Sequence, residues 1–173
     1  MKRFTPTYYA NNLFEINPIF FLRIKTNVLL LDLDNTLDSY KTNVPSKRVV
    51  DYIKQLKDLK IRPIIVSNNT SKHVKNYARA LELECITKVF KPFAHVLRKK
   101  LNDLSINPQD CIIIGDQLLT DIACGNKLKI KTLLLEPITD VEFFITKINR
   151  NLDKHIRARL QKYGKLNNWK ATL

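Results

Sequence analysis

Cysteine is scarce in this 173-residue chain. The three present, Cys85, Cys111 and Cys124, are odd in number, scattered, and set in or beside apolar segments, which excludes a disulfide framework and a thiolate zinc site. Buried free thiols are expected. Long hydrophobic runs are also missing: no stretch approaches the roughly 18 apolar residues of a spanning helix. The opening MKRFTPTYYANN is basic but lacks the continuous apolar core of a signal peptide. The cytoplasm is the expected compartment, with the inner face of a membrane as a possible peripheral station. Acidic residues are few, 16 against 30 Lys+Arg, which leaves a formal charge of +14. There is no internal repeat or low-complexity linker, and 45% hydrophobic content is enough for one sizeable core.

What the chain does have is an apolar run that stops on two carboxylates. In Leu29-Leu30-Leu31-Asp32-Leu33-Asp34-Asn35-Thr36-Leu37, strand character gives way to Asp32 and Asp34 in alternate positions. A strand aims residues i and i+2 at one face, so the pair leaves the sheet edge pointing the same way. Adjacent carboxylates repel, and such a pair holds a cation or shares a proton. Taken alone, the segment also fits a strand entering an Asx-type turn at Asp34 and Asn35.

Three more segments follow in order. Residues 61–69 read IRPIIVSNN, an apolar run ending on Ser67, Asn68 and Asn69. Lys91-Pro92 puts a cation after a third short apolar segment. Residues 111–121 read CIIIGDQLLTD, ending on Gly115-Asp116 with Asp121 five residues beyond Asp116. Open α/β sheets bind ligands beyond the carboxyl ends of their strands, and these ends offer carboxylates, a hydroxyl, an ammonium and more carboxylates. The set suits a phosphate and a hard cation.

The chain resembles the haloacid dehalogenase (HAD) superfamily of aspartate-nucleophile phosphatases. Asp32-Leu33-Asp34-Asn35-Thr36 matches its DxDxT motif, Ser67 its strand-end hydroxyl, Lys91 its lysine, and Gly115-Asp116 through Asp121 its GDxxxxD. More narrowly, DLDNTL, VSNN, KP and GDQLLTD are similar to the YqeG family of small class IIIA HAD phosphatases, from about Phe14 to the basic tail.

A phosphate monoester repels an attacking carboxylate until its charge is offset. Mg2+, hard and octahedral, suits that task with one or two protein carboxylates. The expected assignment makes Asp32 the nucleophile of an aspartyl-phosphate. Asp34 acts as general acid to the leaving group and general base to water. The resemblance adds the Asp34 backbone carbonyl as a metal ligand beside Asp32 and Asp116. Asp121 stands behind the ligands, with Gly115, or holds Lys91. Ser67 and the amides of Asn68 and Asn69 bind phosphoryl oxygens, Lys91 offsets charge, and Thr36 fixes the turn.

The expected fold is α/β, Rossmann-like in the HAD manner, with a mainly parallel sheet and helices on both faces. Strands are expected at 27–33, 62–67, about 84–89, 111–115 and 131–135, and helices at 46–59, 71–81, 92–104 and 118–127. Ser46 and Ser71 are candidate caps, Asn107-Pro108 breaks the third helix, and Gly125-Asn126 reads as a helix end. VLLLDLD and CIIIGD suit central strands covered on both sides. Residues 1–26 form a lead-in, 27–138 the core, and 139–173 a basic helix and tail. Only 30 residues lie between Thr36 and Ser67 and 23 between Ser67 and Lys91, so no cap domain fits. An open site suits a large or surface-borne substrate.

From Lys147 to Leu173 there are eight Lys/Arg and one acidic residue, Asp153. Phe144, Ile148, Leu152, Ile156, Leu160 and Tyr163 recur at helical spacing. The helix either docks on the core or meets a polyanion, an anionic membrane or RNA and the ribosome, with Trp169 as an interfacial anchor, a stacking residue or a loose tail residue. His73, His95 and His155 sit in helical patterns without metal-ligand spacing, and no role falls to them. The expected activity is hydrolysis of a phosphate monoester, small or lipid, with phosphatidylglycerophosphate as the best lipid candidate. A nucleotide or RNA substrate, or a non-catalytic binding protein on the same scaffold, are the alternatives.

Overall fold

A computed structural model describes residues 2–39, 42–69, 72–139 and 144–172, with the side chains of 144–150 and 172 excluded. Six strands form one sheet: β1 Tyr8–Ala10, β2 Val28–Leu31, β3 Arg62–Val66, β4 Glu84–Ile86, β5 Cys111–Gly115 and β6 Lys131–Leu135. Their order is β1-β6-β5-β2-β3-β4 and every pairing is parallel. The two all-apolar runs, β2 and β5, lie side by side in the middle, with Leu30 opposite Ile113 and Leu31 opposite Ile114.

Side-chain alternation divides the core. Leu29, Leu31, Ile65, Ile112, Ile114 and Leu133 face one way, toward α1 Ile19–Arg23, α2 Lys47–Asp58 and α3 Lys72–Ala80. Leu30, Ile64, Val66, Cys111 and Ile113 face the other, toward α4 Ala94–Asp103 and α5 Ala123–Leu128. A parallel strand covered on both faces has no solvent side to make polar. Among the described residues, each interval between the site-bearing strands holds a helix and loops, and no cap is inserted.

Ser46 caps α2 as expected, its hydroxyl accepting the Val49 N–H at 3.4 Å. Ser71 lies outside the described residues. The Asn107 side chain accepts from the Gln109 N–H at 3.1 Å and opens a short turn at Pro108.

Several expectations are corrected. The fourth strand ends at Ile86 rather than 89. The fourth helix starts at Ala94, after Pro92, with Phe93 still extended. Residues 118–127 are not one α-helix: Leu118–Ile122 form a π-helical turn before α5, an i→i+5 pattern that a 3.6-residue period does not reveal. Gly125 does not end the helix either. A Cβ there would lie 2.4 Å from the side chains of Ile113 and Thr132, so glycine lets α5 press on the sheet, and the helix ends at left-handed Lys129.

Two elements in the lead-in carry no clear sequence signal. Strand β1 pairs with β6, Tyr9 opposite Leu134, and α1 buries Phe20 and Phe21. The C-terminal helix α6, Phe144–Lys162, seats Leu160 and Ile156 on Leu118, Ile122 and Leu134. Leu152 and Tyr163 are exposed, so the stripe read from the sequence is only partly the docking face. Trp169 is buried, 5.4 Å edge-to-face from Phe20, and its Nε1 donates to Glu15 at 3.4 Å. It is neither a membrane anchor nor a base-stacking platform. All three thiols are free, Cys111 and Cys124 buried and Cys85 half-buried.

Candidate active site

The carboxyl ends of β2, β3 and β5, with the loop after β4, converge on one ammonium. Lys91 Nζ donates to Asp32 Oδ1 at 2.5 Å and to the Val66 carbonyl at 3.0 Å, and pairs with Asp121 Oδ1 at 2.7 Å. Two of its N–H donors thus have acceptors in Asp32 and Val66, and the Asp121 carboxylate adds an opposite charge beside them. The Lys91 side chain is 2% exposed. Burial pulls its pKa down, but Asp121 and Asp32 overcome this and lift it above the ordinary lysine range.

Asp32 extends the ladder past the end of β2, its N–H donating to the Ile114 carbonyl at 2.9 Å. Burial pushes its carboxyl up to about 7 against the pull of Lys91, and neighbouring Asp121 and Asp34 add to the rise. The Thr36 hydroxyl donates to Asp32 Oδ2 at 3.4 Å, so it orients the carboxylate itself rather than serving the turn alone. Asn35 takes the left-handed conformation, φ 62°, which asparagine tolerates. Its N–H donates to the Asp38 carbonyl at 2.9 Å and closes the turn that follows Asp34.

Asp121 is held from both sides. Its Oδ2 accepts from the Gln117 N–H at 3.3 Å and the Thr120 hydroxyl at 3.2 Å. At Gly115 a Cβ would sit 2.3 Å from Asp121 Cγ, so the glycine is what allows this carboxylate to reach Lys91. Asp116, fully buried, follows at the end of β5. One carboxylate oxygen each of Asp32, Asp116 and Asp121 lies within 4.8 Å of the others.

Asp32, Asp34, Asp116 and Asp121 together gather four carboxyl groups around one lysine. Crowding of this kind suits a hard divalent cation with oxygen ligands, so the donor set fits Mg2+. The Asp34 carboxylate is not one of the three clustered groups. Burial raises its pKa, while the charges of His73 and then Lys91 oppose the rise.

Ser67 is buried, and its Oγ accepts the Asn69 N–H at 3.0 Å. Asn68 has a role beyond the expected one. Its side chain bonds both backbone groups of Lys91, which leaves one amide N–H of Asn68 uncommitted by these two bonds.

Sequence reasoning overlooked three further residues. His73 faces Asp34 electrostatically, and its buried Nδ1 has no hydrogen-bond partner among the described residues. Helical context hid it, although its place one residue into α3, after the Ser67 loop, was a usable signal. Asp153 accepts the N–H groups of Leu118 and Leu119 at 2.7 and 3.2 Å. Arg157 donates to the Asp116 carbonyl at 2.8 Å.

The family model described as HAD-hydrolase-like matches residues 89–137. Probable phosphatase YqeG of Bacillus subtilis (strain 168) is 31% identical over 163 residues, 94% of this chain and 95% of the relative. The chain belongs to the YqeG family of HAD phosphatases. Two solved structures share the fold of this YqeG-family chain. An uncharacterized protein from Listeria monocytogenes serotype 4b has a TM-score of 0.54 at 15% identity, covering 68% of this chain and 84% of that one. A candidate 3-deoxy-D-manno-octulosonate 8-phosphate phosphatase from Vibrio cholerae has a TM-score of 0.52 at 17% identity, covering 88% and 93%.

Proposed function

We propose that this protein hydrolyses a phosphate monoester through an aspartyl-phosphate on Asp32, with Mg2+ as cofactor. The observation that carries the reading is the Lys91 ammonium bridging Asp32 and Asp121 beside the buried Asp116 carboxylate. An Asp32 oxygen forms a bond to phosphorus as the ester P–O bond breaks. The leaving alkoxide takes a proton from Asp34, and the phosphoryl group stays on Asp32. Asp34 then accepts a proton from water as the water oxygen attacks the same phosphorus. Inorganic phosphate leaves, and Asp32 is restored.

Lys91, Ser67 and the main-chain N–H groups after Ser67 offset charge on the phosphoryl oxygens. Mg2+, held by Asp32, Asp116 and the Asp34 carbonyl, would supply further positive charge at those oxygens.

The substrate class we favour is a membrane lipid phosphate such as phosphatidylglycerophosphate. Exposed Phe90 and Phe93 flank Lys91, and exposed Ile138 donates its N–H to the Asn35 carbonyl. Exposed apolar residues thus neighbour an anion site that, among the described residues, no cap closes. On α6, Lys154, Arg159 and Lys162 are exposed and available to an anionic surface. Among the described residues no helix is long and apolar enough to cross a membrane, so contact would be peripheral. The same exposed cations support a second reading, a nucleotide, RNA or ribosome-bound substrate.

The test is turnover of phosphatidylglycerophosphate in liposomes against soluble sugar phosphates and 5′-phosphorylated RNA, with Asp32→Asn as control. Preference for the liposomal substrate supports the lipid reading. Faster release from RNA, with binding that falls steeply in salt, supports the second, and no release from any member removes the phosphatase reading.

A further inference from the structure

The cation seat depends on the backbone of residues 115–119, and that backbone is held from outside the HAD motifs. Leu118 and Leu119 open a helical segment whose preceding residue, Gln117, gives no side-chain cap. Helix-opening N–H groups need an acceptor when buried. Asp153 of α6 supplies it to both, from a residue 35 and 34 positions away.

One turn further along α6, Arg157 spreads its guanidinium over the ends of β5 and β6. Nη2 donates to the Asp116 carbonyl at 2.8 Å and the Leu135 carbonyl at 3.3 Å, and Nη1 to Glu136 at 2.9 Å. Glu136 is itself fixed by the Tyr9 hydroxyl at 2.7 Å. Arg157 also lies 3.7 Å from Asp153. The side chains of Arg157 and Asp153 are only 14% and 7% exposed.

Buried charges are a poor way to dock a helix, since desolvation offsets most of their attraction. Ile156 and Leu160 already dock this one. What the pair adds is direction: every bond it makes ends on a group within the Asp116 segment or the strand end beside it. Groups that orient a metal ligand from behind tune its affinity for the ion.

We infer that Asp153 and Arg157 are positioning residues that lock the Asp116 loop, and so set the affinity of the cation seat built on Asp32 and Asp116 for a divalent cation. The basic C-terminal helix is then part of the active-site scaffold, with Arg157 turned inward and Lys154, Arg159 and Lys162 left to solvent. The inference rests on the cation seat described under the proposed function.

The experiment is direct Mn2+ binding to the full chain, by calorimetry and by Mn2+ electron paramagnetic resonance, with melting temperature measured in parallel. Arg157→Gln should weaken Mn2+ binding about 10-fold or more. Arg157→Lys, which keeps one donor direction, and Asp153→Asn, which keeps an acceptor for Leu118, should show smaller losses in the same direction. These two variants carry the test if Arg157→Gln does not fold. The triple change Lys154→Gln, Arg159→Gln, Lys162→Gln should leave Kd unchanged.

A lower melting temperature with unchanged Mn2+ affinity in the Arg157 and Asp153 variants would overturn the inference and leave the pair as helix-docking groups. If the wild-type chain binds Mn2+ but these variants bind it equally well, the cation seat stands without the clamp. No Mn2+ binding by the wild type removes both.

Discussion

Asn68 holds Lys91 by both of its backbone groups: Oδ1 accepts the Lys91 N–H at 2.6 Å, and Nδ2 donates to the Lys91 carbonyl at 3.1 Å. An amide side chain is the group that can donate and accept in one plane. The lysine is therefore fixed at its root by Asn68 and at its tip by Asp32, Asp121 and Val66. Asn68→Ala should lower kcat by about 100-fold, the scale of a 1 Å misplacement of a reacting group. Loss of the two bonds should also cost about 1–3 kcal/mol of stability. Steady-state kinetics and urea unfolding measure the two effects, and wild-type kcat in Asn68→Ala would show that Lys91 needs no such support.

Asp32→Asn should reduce turnover below about one-thousandth of wild type, since the amide is a poor nucleophile. The fold should persist, because Lys91 keeps Asp121 and the Val66 carbonyl. Asp34→Asn should slow esters with poor leaving groups more than those with good ones, which need no general acid. Rates for a nitrophenyl ester and an alkyl ester make the comparison; equal slowing would take the acid role from Asp34.

The buried Asp32 carboxyl gives a pH signature. Its pKa rises from the ordinary 3.8 to about 7 in the folded, metal-free chain. Between about pH 4 and pH 7 the native state thus binds more protons than the unfolded one, so this group's contribution to stability is full at the acid end and declines as pH rises. A bound cation requires the carboxylate, so Mg2+ should raise the melting temperature more at about pH 8 than at about pH 6. Scanning calorimetry with and without Mg2+ reads the difference, and equal shifts at both pH values would contradict it.

Gly115→Ala should disturb the site out of proportion to its size. The added Cβ would meet Asp121 Cγ at 2.3 Å, and overpacking of this kind costs about 1–3 kcal/mol. Asp121 must move, and Lys91 loses a partner. The expected result is a protein that still melts cooperatively but has lost most of its kcat; unchanged kcat would mean that Asp121 has room to shift without consequence.

The chemistry of the strand ends was legible because it depends on local rules. Apolar runs that stop abruptly on polar residues pointed to β2, β3 and β5, and with them to Asp32, Ser67 and Asp116. The elements that escaped depend on distant partners. Strand β1 is three residues long and exists because β6 and Asn168 lie beside it. The basic tail looked like a surface-seeking helix, since composition counts charges without direction. Arg157 is one of the eight cations from Lys147 to Leu173, yet it points inward. The one acidic residue there, Asp153, was the available sign, because a lone carboxylate among cations is usually committed to something. Trp169 misled for the same reason: its pocket is made by Phe20 and Glu15, more than a hundred positions away.

Strand β1 is an edge of the sheet, and the C-terminal segment lies against its outer side, with Tyr9 N–H donating to the Asn167 carbonyl at 2.7 Å. In biosynthesis the two halves of that seam emerge far apart in time. Until residues 166–169 leave the ribosome, Tyr8–Ala10 can present unpaired backbone to any strand nearby, the state in which edges recruit other chains. The tail that locks the finished sheet is therefore also what ends the nascent chain's exposure to its neighbours, and the interval before it arrives is when a chaperone has most to protect.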